Sequence, residues 1–203
     1  MPKEAVTVED LRAAGRWCDL FSISSAIDTA FAACDFSGGD VATAQLVQDY
    51  LALHIAIREL PPARPTALRL LSIPGGNGCS ACDRPGCLGN RVVEEQGAYT
   101  LVFEHHKTRR RRDEAITVAI PAGSTTATLL TDFLGRRRAQ LTKSDTTALF
   151  IGRDGEAISE SAFAAYVPRL LRNLGCGSIS YTAVRPHAAR HFHPHFAQCS
   201  CAT

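Results

Sequence analysis

Tyr99-Thr-Leu-Val-Phe103-Glu-His-His-Lys107-Thr-Arg-Arg-Arg-Arg112-Asp-Glu-Ala115-Ile-Thr-Val-Ala-Ile120 decides the fold class of this chain. Two runs rich in β-branched and aromatic residues, Tyr99–Phe103 and Ala115–Ile120, read as strands. The polar, basic stretch Glu104 to Glu114 between them reads as the turn of a β-hairpin. On either side the apolar spacing is helical, so the hairpin stands as a small antiparallel sheet in a mainly helical α+β domain.

C-terminal to the hairpin, Ser124 opens a helix with Leu129, Leu130, Phe133 and Leu134 on one face. Leu149-Phe-Ile151 reads as a short strand before an Arg-Asp-Gly turn. Ser159 caps a helix carrying Phe163, Val167, Leu170, Leu171 and Leu174, ended by Gly175, with an expected kink at Pro168. A last helix is expected from Pro186 to Pro194. N-terminal to the hairpin, the Gly-, Pro- and Cys-bearing stretch Pro74 to Asn90 reads as a loop, preceded by a short helix after Pro65 with Leu68 and Leu71. A longer helix capped by Asp40 runs to about Leu60, with Leu46, Tyr50, Leu53 and Ile57 at helical spacing. Residues 8–34, marked by Leu11, Trp17, Leu20, Phe21, Ile27 and Phe31, read as helical and end at the turn-forming stretch Asp35-Phe-Ser-Gly-Gly39. The expected organisation is an N-terminal helical segment over 1–38 and one domain over 39–203.

The chain has 203 residues, 45% hydrophobic and 21% charged, enough apolar material for one ordinary core. It holds no apolar run long enough to cross a membrane and no signal-peptide core. These features lead us to expect an intracellular protein, nuclear if eukaryotic and otherwise cytoplasmic. The net charge of +2 is unevenly divided. Residues 1–60 hold four Lys/Arg against nine Asp/Glu, whereas residues 61–203 hold eighteen against eleven. A basic C-terminal part points to an anionic partner, of which nucleic acid is the commonest.

Three groups of residues stand out. Val184-Arg-Pro-His187-Ala-Ala-Arg190-His191 places His187 and Arg190 three apart, on one face of a helix. A proton-moving His beside an Arg that grips phosphate in two places suits phosphoryl transfer. Arg64, in Pro61-Pro-Ala-Arg64-Pro-Thr-Ala-Leu68-Arg-Leu-Leu71, lies between two apolar helices. In the hairpin turn, Lys107, Arg109, Arg110, Arg111 and Arg112 are candidate phosphate contacts. Taken singly, each group is ordinary: a chance spacing, a helix cap, a solvated basic turn.

Taken in order, they resemble the tyrosine recombinases of the phage-integrase type. In that family an Arg follows a hydrophobic helix and precedes leucines four and seven residues on, as Arg64 precedes Leu68 and Leu71. A Lys lies in a β-hairpin turn leading to an apolar strand that often ends in Pro, as with Lys107 and Ile116 to Pro121. Ala148 to Phe163 is similar to the strand, turn and helix that precede the family's His-x-x-Arg. The resemblance covers about residues 40–193 and is strongest to divergent eukaryotic, algal-type members. It implies metal-free and ATP-free DNA breaking and rejoining through a covalent 3′-phosphotyrosyl link. It also implies roles: Arg64 and Arg190 clamp the non-bridging oxygens, Lys107 protonates the leaving 5′ oxygen, and His187 assists proton transfer. DNA and fellow protomers of a recombinase assembly are the implied partners.

The chain departs from the family in three places. Ala67 stands where an acidic residue is common, a Cys-rich insert separates Arg64 from Lys107, and the last thirteen residues after Arg190 contain no Tyr. Tyr50, Tyr99, Tyr166 and Tyr181 all precede the His-x-x-Arg, so the chain by itself is expected to be catalytically silent. Cys79, Cys82 and Cys87 have the spacing to hold Zn2+ with a fourth ligand from His105, His106 or His54. The alternatives to a recombinase domain are a DNA-binding relic without catalysis and a zinc-binding interaction domain.

Overall fold

The computed structural model describes residues 20–59, 65–74, 88–105 and 115–176. Helix α1 (Leu20–Ala32) packs on helix α2 (Val41–His54). The remainder of the helix expected over 8–34 lies outside the described residues. Asp40 caps α2 as expected: its carboxylate accepts the Thr43 amide at 2.8 Å, satisfying one amide that the helix start leaves open. The same helix continues through a π-helical turn, Ile55–Glu59. A short helix, α3 (Pro65–Arg69), follows, with Leu68 and Leu71 at 1% and 0% exposure.

The sheet has three antiparallel strands in the order β1 (Arg91–Glu95), β2 (Ala98–Phe103) and β3 (Ile116–Ile120). The expected hairpin is present, with Tyr99 opposite Ile120 and Phe103 opposite Ile116. β1 is an addition to the sequence expectation. Its Glu94 and Glu95 are exposed and only Val92 is fully buried, so apolar alternation is too short to announce a strand. The β1–β2 connection is a two-residue turn with both residues at positive φ, Gln96 at 52° and Gly97 at 78°. This left-handed backbone matches the twist of the flanking strands.

Beyond the sheet, Ser124 caps α4 (Thr125–Asp132). The helix widens into a second π-helical turn, Phe133–Arg137, and ends as α5 (Arg138–Leu141). Ser159 caps α6 (Glu160–Asn173), which runs unbroken through Pro168. Gly175, at φ +77°, closes α6. Its amide donates to the Arg172 carbonyl and the Cys176 amide to the Leu171 carbonyl, both at 3.0 Å. The short strand expected at Leu149–Ile151 is not formed. Single bridges join Ser72 to Ala148 and Ile151 to Ala157, while Leu149 and Phe150 turn fully into the core. A side chain, Gln48, takes the backbone groups of Ile151 that a strand neighbour would have taken.

One apolar cluster joins these elements. It includes Ile23 and Ile27 of α1, Leu51 and Ile55, Leu101 and Phe103, Leu130 and Phe133, and Phe163 and Leu171. Each such side chain, fully buried, contributes about 1.5–3 kcal/mol. Among the described residues, no helix is long and apolar enough to cross a membrane.

Candidate functional site

The site residues expected from sequence lie outside the described residues: Arg64, Lys107, Arg109, Arg110, Arg111, Arg112, His187 and Arg190, with Cys79, Cys82 and Cys87 of the metal loop. Of the chain around them, the helix before Arg64, the short helix after it and the strand end before Lys107 are described. On the N-terminal side of Arg64, Glu59 ends the helix that began at Val41. Its carboxylate accepts the Thr126 hydroxyl of α4 at 2.6 Å. On the C-terminal side, the Ala67 carbonyl accepts Asn90 Nδ2 at 2.8 Å.

Asn90 also reaches the strand end that leads to Lys107. Its Oδ1 accepts the His105 amide at 2.7 Å, and Nδ2 lies 3.4 Å from the His105 carbonyl. Its own carbonyl accepts the Ser72 amide at 2.9 Å. The side chain is 2% exposed, so these bonds are made in a dry environment where leaving them unmade is costly. One buried amide therefore joins the middle of α3 to the chain just past β2. Sequence reasoning missed it, because Gly89-Asn90 has the composition of an ordinary turn and carries no periodic signal. α3 also packs against α6, where Thr66 Oγ1 donates to Glu160 at 3.1 Å.

Three of the four tyrosines are described, and all three are core residues. Tyr50, Tyr99 and Tyr166 are 5%, 2% and 3% exposed. The Tyr50 hydroxyl accepts the Cys34 thiol at 3.3 Å. Burial, with help from that thiol, pushes its pKa well up. The Tyr99 hydroxyl bonds the Thr131 hydroxyl at 2.9 Å. Tyr166 donates to Asp49, with Gln45 and Gln48 alongside, and Arg169 lies over its ring at 5.3 Å. Burial raises the pKa of both Tyr166 and Asp49. None of these three hydroxyls is accessible to a phosphodiester.

Two arginines that look like surface charges in the sequence are structural. Arg137, 2% exposed, donates to Asp132 at 3.1 Å and to the carbonyls of Gly38 and Phe36. It thereby fixes the turn before α2. Arg138 donates to the carbonyls of Ala148 and Thr146. His54, named above as a candidate zinc ligand, sits in the core against the Phe31 ring at a centroid distance of 5.6 Å. Neither ring nitrogen has a hydrogen-bond partner. Burial, then the Arg58 charge, lowers its pKa to about 4, so it is neutral at ordinary pH. Among the described residues no group of His, Cys, Asp or Glu is arranged to hold a metal.

This arrangement of helices around a small three-stranded antiparallel sheet resembles the fold of a tyrosine-recombinase catalytic domain. The chain is similar to a crystal structure of the XerH site-specific recombinase bound to its difH substrate in a pre-cleavage complex. The TM-score is 0.55 at 15% sequence identity, over 88% of this chain and 43% of that one. At that identity the likeness is one of fold, and this chain spans less than half the length of the recombinase. No known family and no curated protein matches the chain by sequence.

Proposed function

We propose that this chain is the DNA-engaging part of a tyrosine-recombinase-type domain, gripping the phosphodiester backbone with Arg64, Lys107, His187 and Arg190. Arg109 to Arg112 add contacts along the duplex. The observation that carries this reading is the junction at Asn90. In a recombinase-type fold, it brings together the chain segments that flank Arg64 and Lys107, residues forty-three positions apart. In this reading the two arginines neutralise the non-bridging oxygens, where charge grows on the way to the transition state. Lys107 and His187 manage the protons. Recombination or integration at a defined site is the corresponding activity of an assembly of such protomers. Zn2+ held by Cys79, Cys82 and Cys87 belongs to the same proposal as a structural ion.

A second reading, DNA binding without cleavage by this chain alone, is favoured by the burial of Tyr50, Tyr99 and Tyr166. Without an attacking oxygen from the described tyrosines, the arginines hold and polarise a phosphate but do not break it. Titrating a labelled duplex at several salt concentrations tests the common part of both readings. Affinity should fall steeply with salt, and replacing Arg109 to Arg112 with Ala should flatten that slope for every sequence tried. Salt-independent binding, or no change after the replacement, would refute DNA engagement through phosphates.

A further inference from the structure

We propose that Asn90 is a positioning residue of the phosphate site: it sets the hairpin that carries Lys107 against the helix that follows Arg64. This rests on the functional reading above and goes beyond it by assigning a role to a residue that touches no substrate. Ala67 lies three positions after Arg64, and His105 lies two positions before Lys107. Both are bonded by the two ends of one side-chain amide. Only a group that donates and accepts at once meets both demands. A carboxylate keeps the bond from the His105 amide but has no proton for the Ala67 carbonyl, and an aliphatic side chain loses both.

The backbone of Asn90 is fixed independently. Its carbonyl takes the Ser72 amide at 2.9 Å and the Ser72 hydroxyl at 3.2 Å, and the Ser72 carbonyl in turn takes the Val92 amide at 2.9 Å. The amide therefore works as a bracket between α3 and β2 with little freedom of its own. An error of about an ångström in such a support is enough to misplace a group that must meet a phosphate.

The test is a cycle of variants in duplex binding, with dissociation constant and salt slope both read at a temperature where every variant is folded. Lys107→Ala should weaken binding about tenfold and lower the salt slope by about one phosphate's worth. Asn90→Ala should weaken binding several-fold with a similar loss of slope, and the double variant should be no worse than Lys107→Ala alone. Asn90→Asp repeats the comparison if Asn90→Ala is too unstable. Gln48→Ala, which removes another buried amide bonded to backbone on both sides, should leave the slope unchanged. Additive losses in the double variant, or an equal loss of slope in Gln48→Ala, would overturn the role of Asn90 while leaving the phosphate-site reading intact. Full affinity in both Arg64→Ala and Lys107→Ala would overturn that reading and this inference with it.

Discussion

Gln48, on α2, satisfies both backbone groups of Ile151, donating to its carbonyl at 3.0 Å and accepting its amide at 2.8 Å. Gln48 is completely buried and Ile151 is 2% exposed, so no water replaces these bonds if they are lost. The side chain acts as a one-residue strand partner for the backbone groups of Ile151 that its bridge to Ala157 leaves open. Gln48→Ala should cost about 2–4 kcal/mol, the sum of two backbone groups left unpaired in the core. Urea denaturation monitored by circular dichroism measures this. A cost below about 0.5 kcal/mol would mean that the backbone of Ile151 finds other partners.

His54 makes the fold sensitive to acid. Its pKa is lowered from 6.5 to about 4 by burial and by the Arg58 charge, while Asp28 across the α1 contact pulls the other way. A lowered histidine pKa means that the unfolded chain takes up the proton first. The stabilising contribution is therefore complete above pH 6.5 and is lost as pH falls toward 4, by up to about 3 kcal/mol. Asp49, whose pKa is raised by burial, has the opposite slope. The difference between wild type and His54→Leu isolates the histidine. The variant should gain relative stability steadily from pH 6.5 to 4, and parallel stability curves across that range would rule out a neutral buried His54.

The described tyrosines should not form a covalent link to DNA. Tyr166 is 3% exposed and donates its proton to Asp49, and Tyr50 and Tyr99 are equally occupied. With nicked suicide substrates, no denaturation-resistant adduct should map to any of the three. The expected effect of Tyr166→Phe is instead on stability, a loss of about 1–3 kcal/mol, because the part-buried Asp49 keeps its bond from Gln45 but loses the one from Tyr166. An adduct at Tyr50, Tyr99 or Tyr166 would show that the core opens under working conditions.

The proposed zinc site has a direct test. Protein purified without chelator should contain about one Zn2+ per chain by atomic absorption. Cys82→Ser should abolish this, because a thiolate ligand is lost. Removing the metal should lower the melting temperature, since a ligand held by the folded chain and not by the unfolded one stabilises the fold. A metal-free protein with an unchanged melting temperature after chelation would remove zinc from the account.

The sequence alone determined the elements whose signals are local. Asp40, Ser124 and Ser159 announce their helices through capping, and Gly175 announces a helix end through its left-handed backbone. Apolar spacing identifies α2, α4 and α6, and the β-branched runs at Tyr99 and Ala115 identify the hairpin. Only the tertiary structure showed that Leu149–Ile151 is not a strand, that β1 joins the sheet, and that Arg137, Arg138, Gln48 and Asn90 are buried. The reason is physical. A cap or a periodic stripe is made by residues within one or two turns of one another, so it is written in neighbouring positions. The bonds of Asn90 and Gln48 join residues 15 to 118 positions apart. Their partners are mostly backbone groups, which every residue carries and no residue type reveals. Only folding brings such groups within 3 Å.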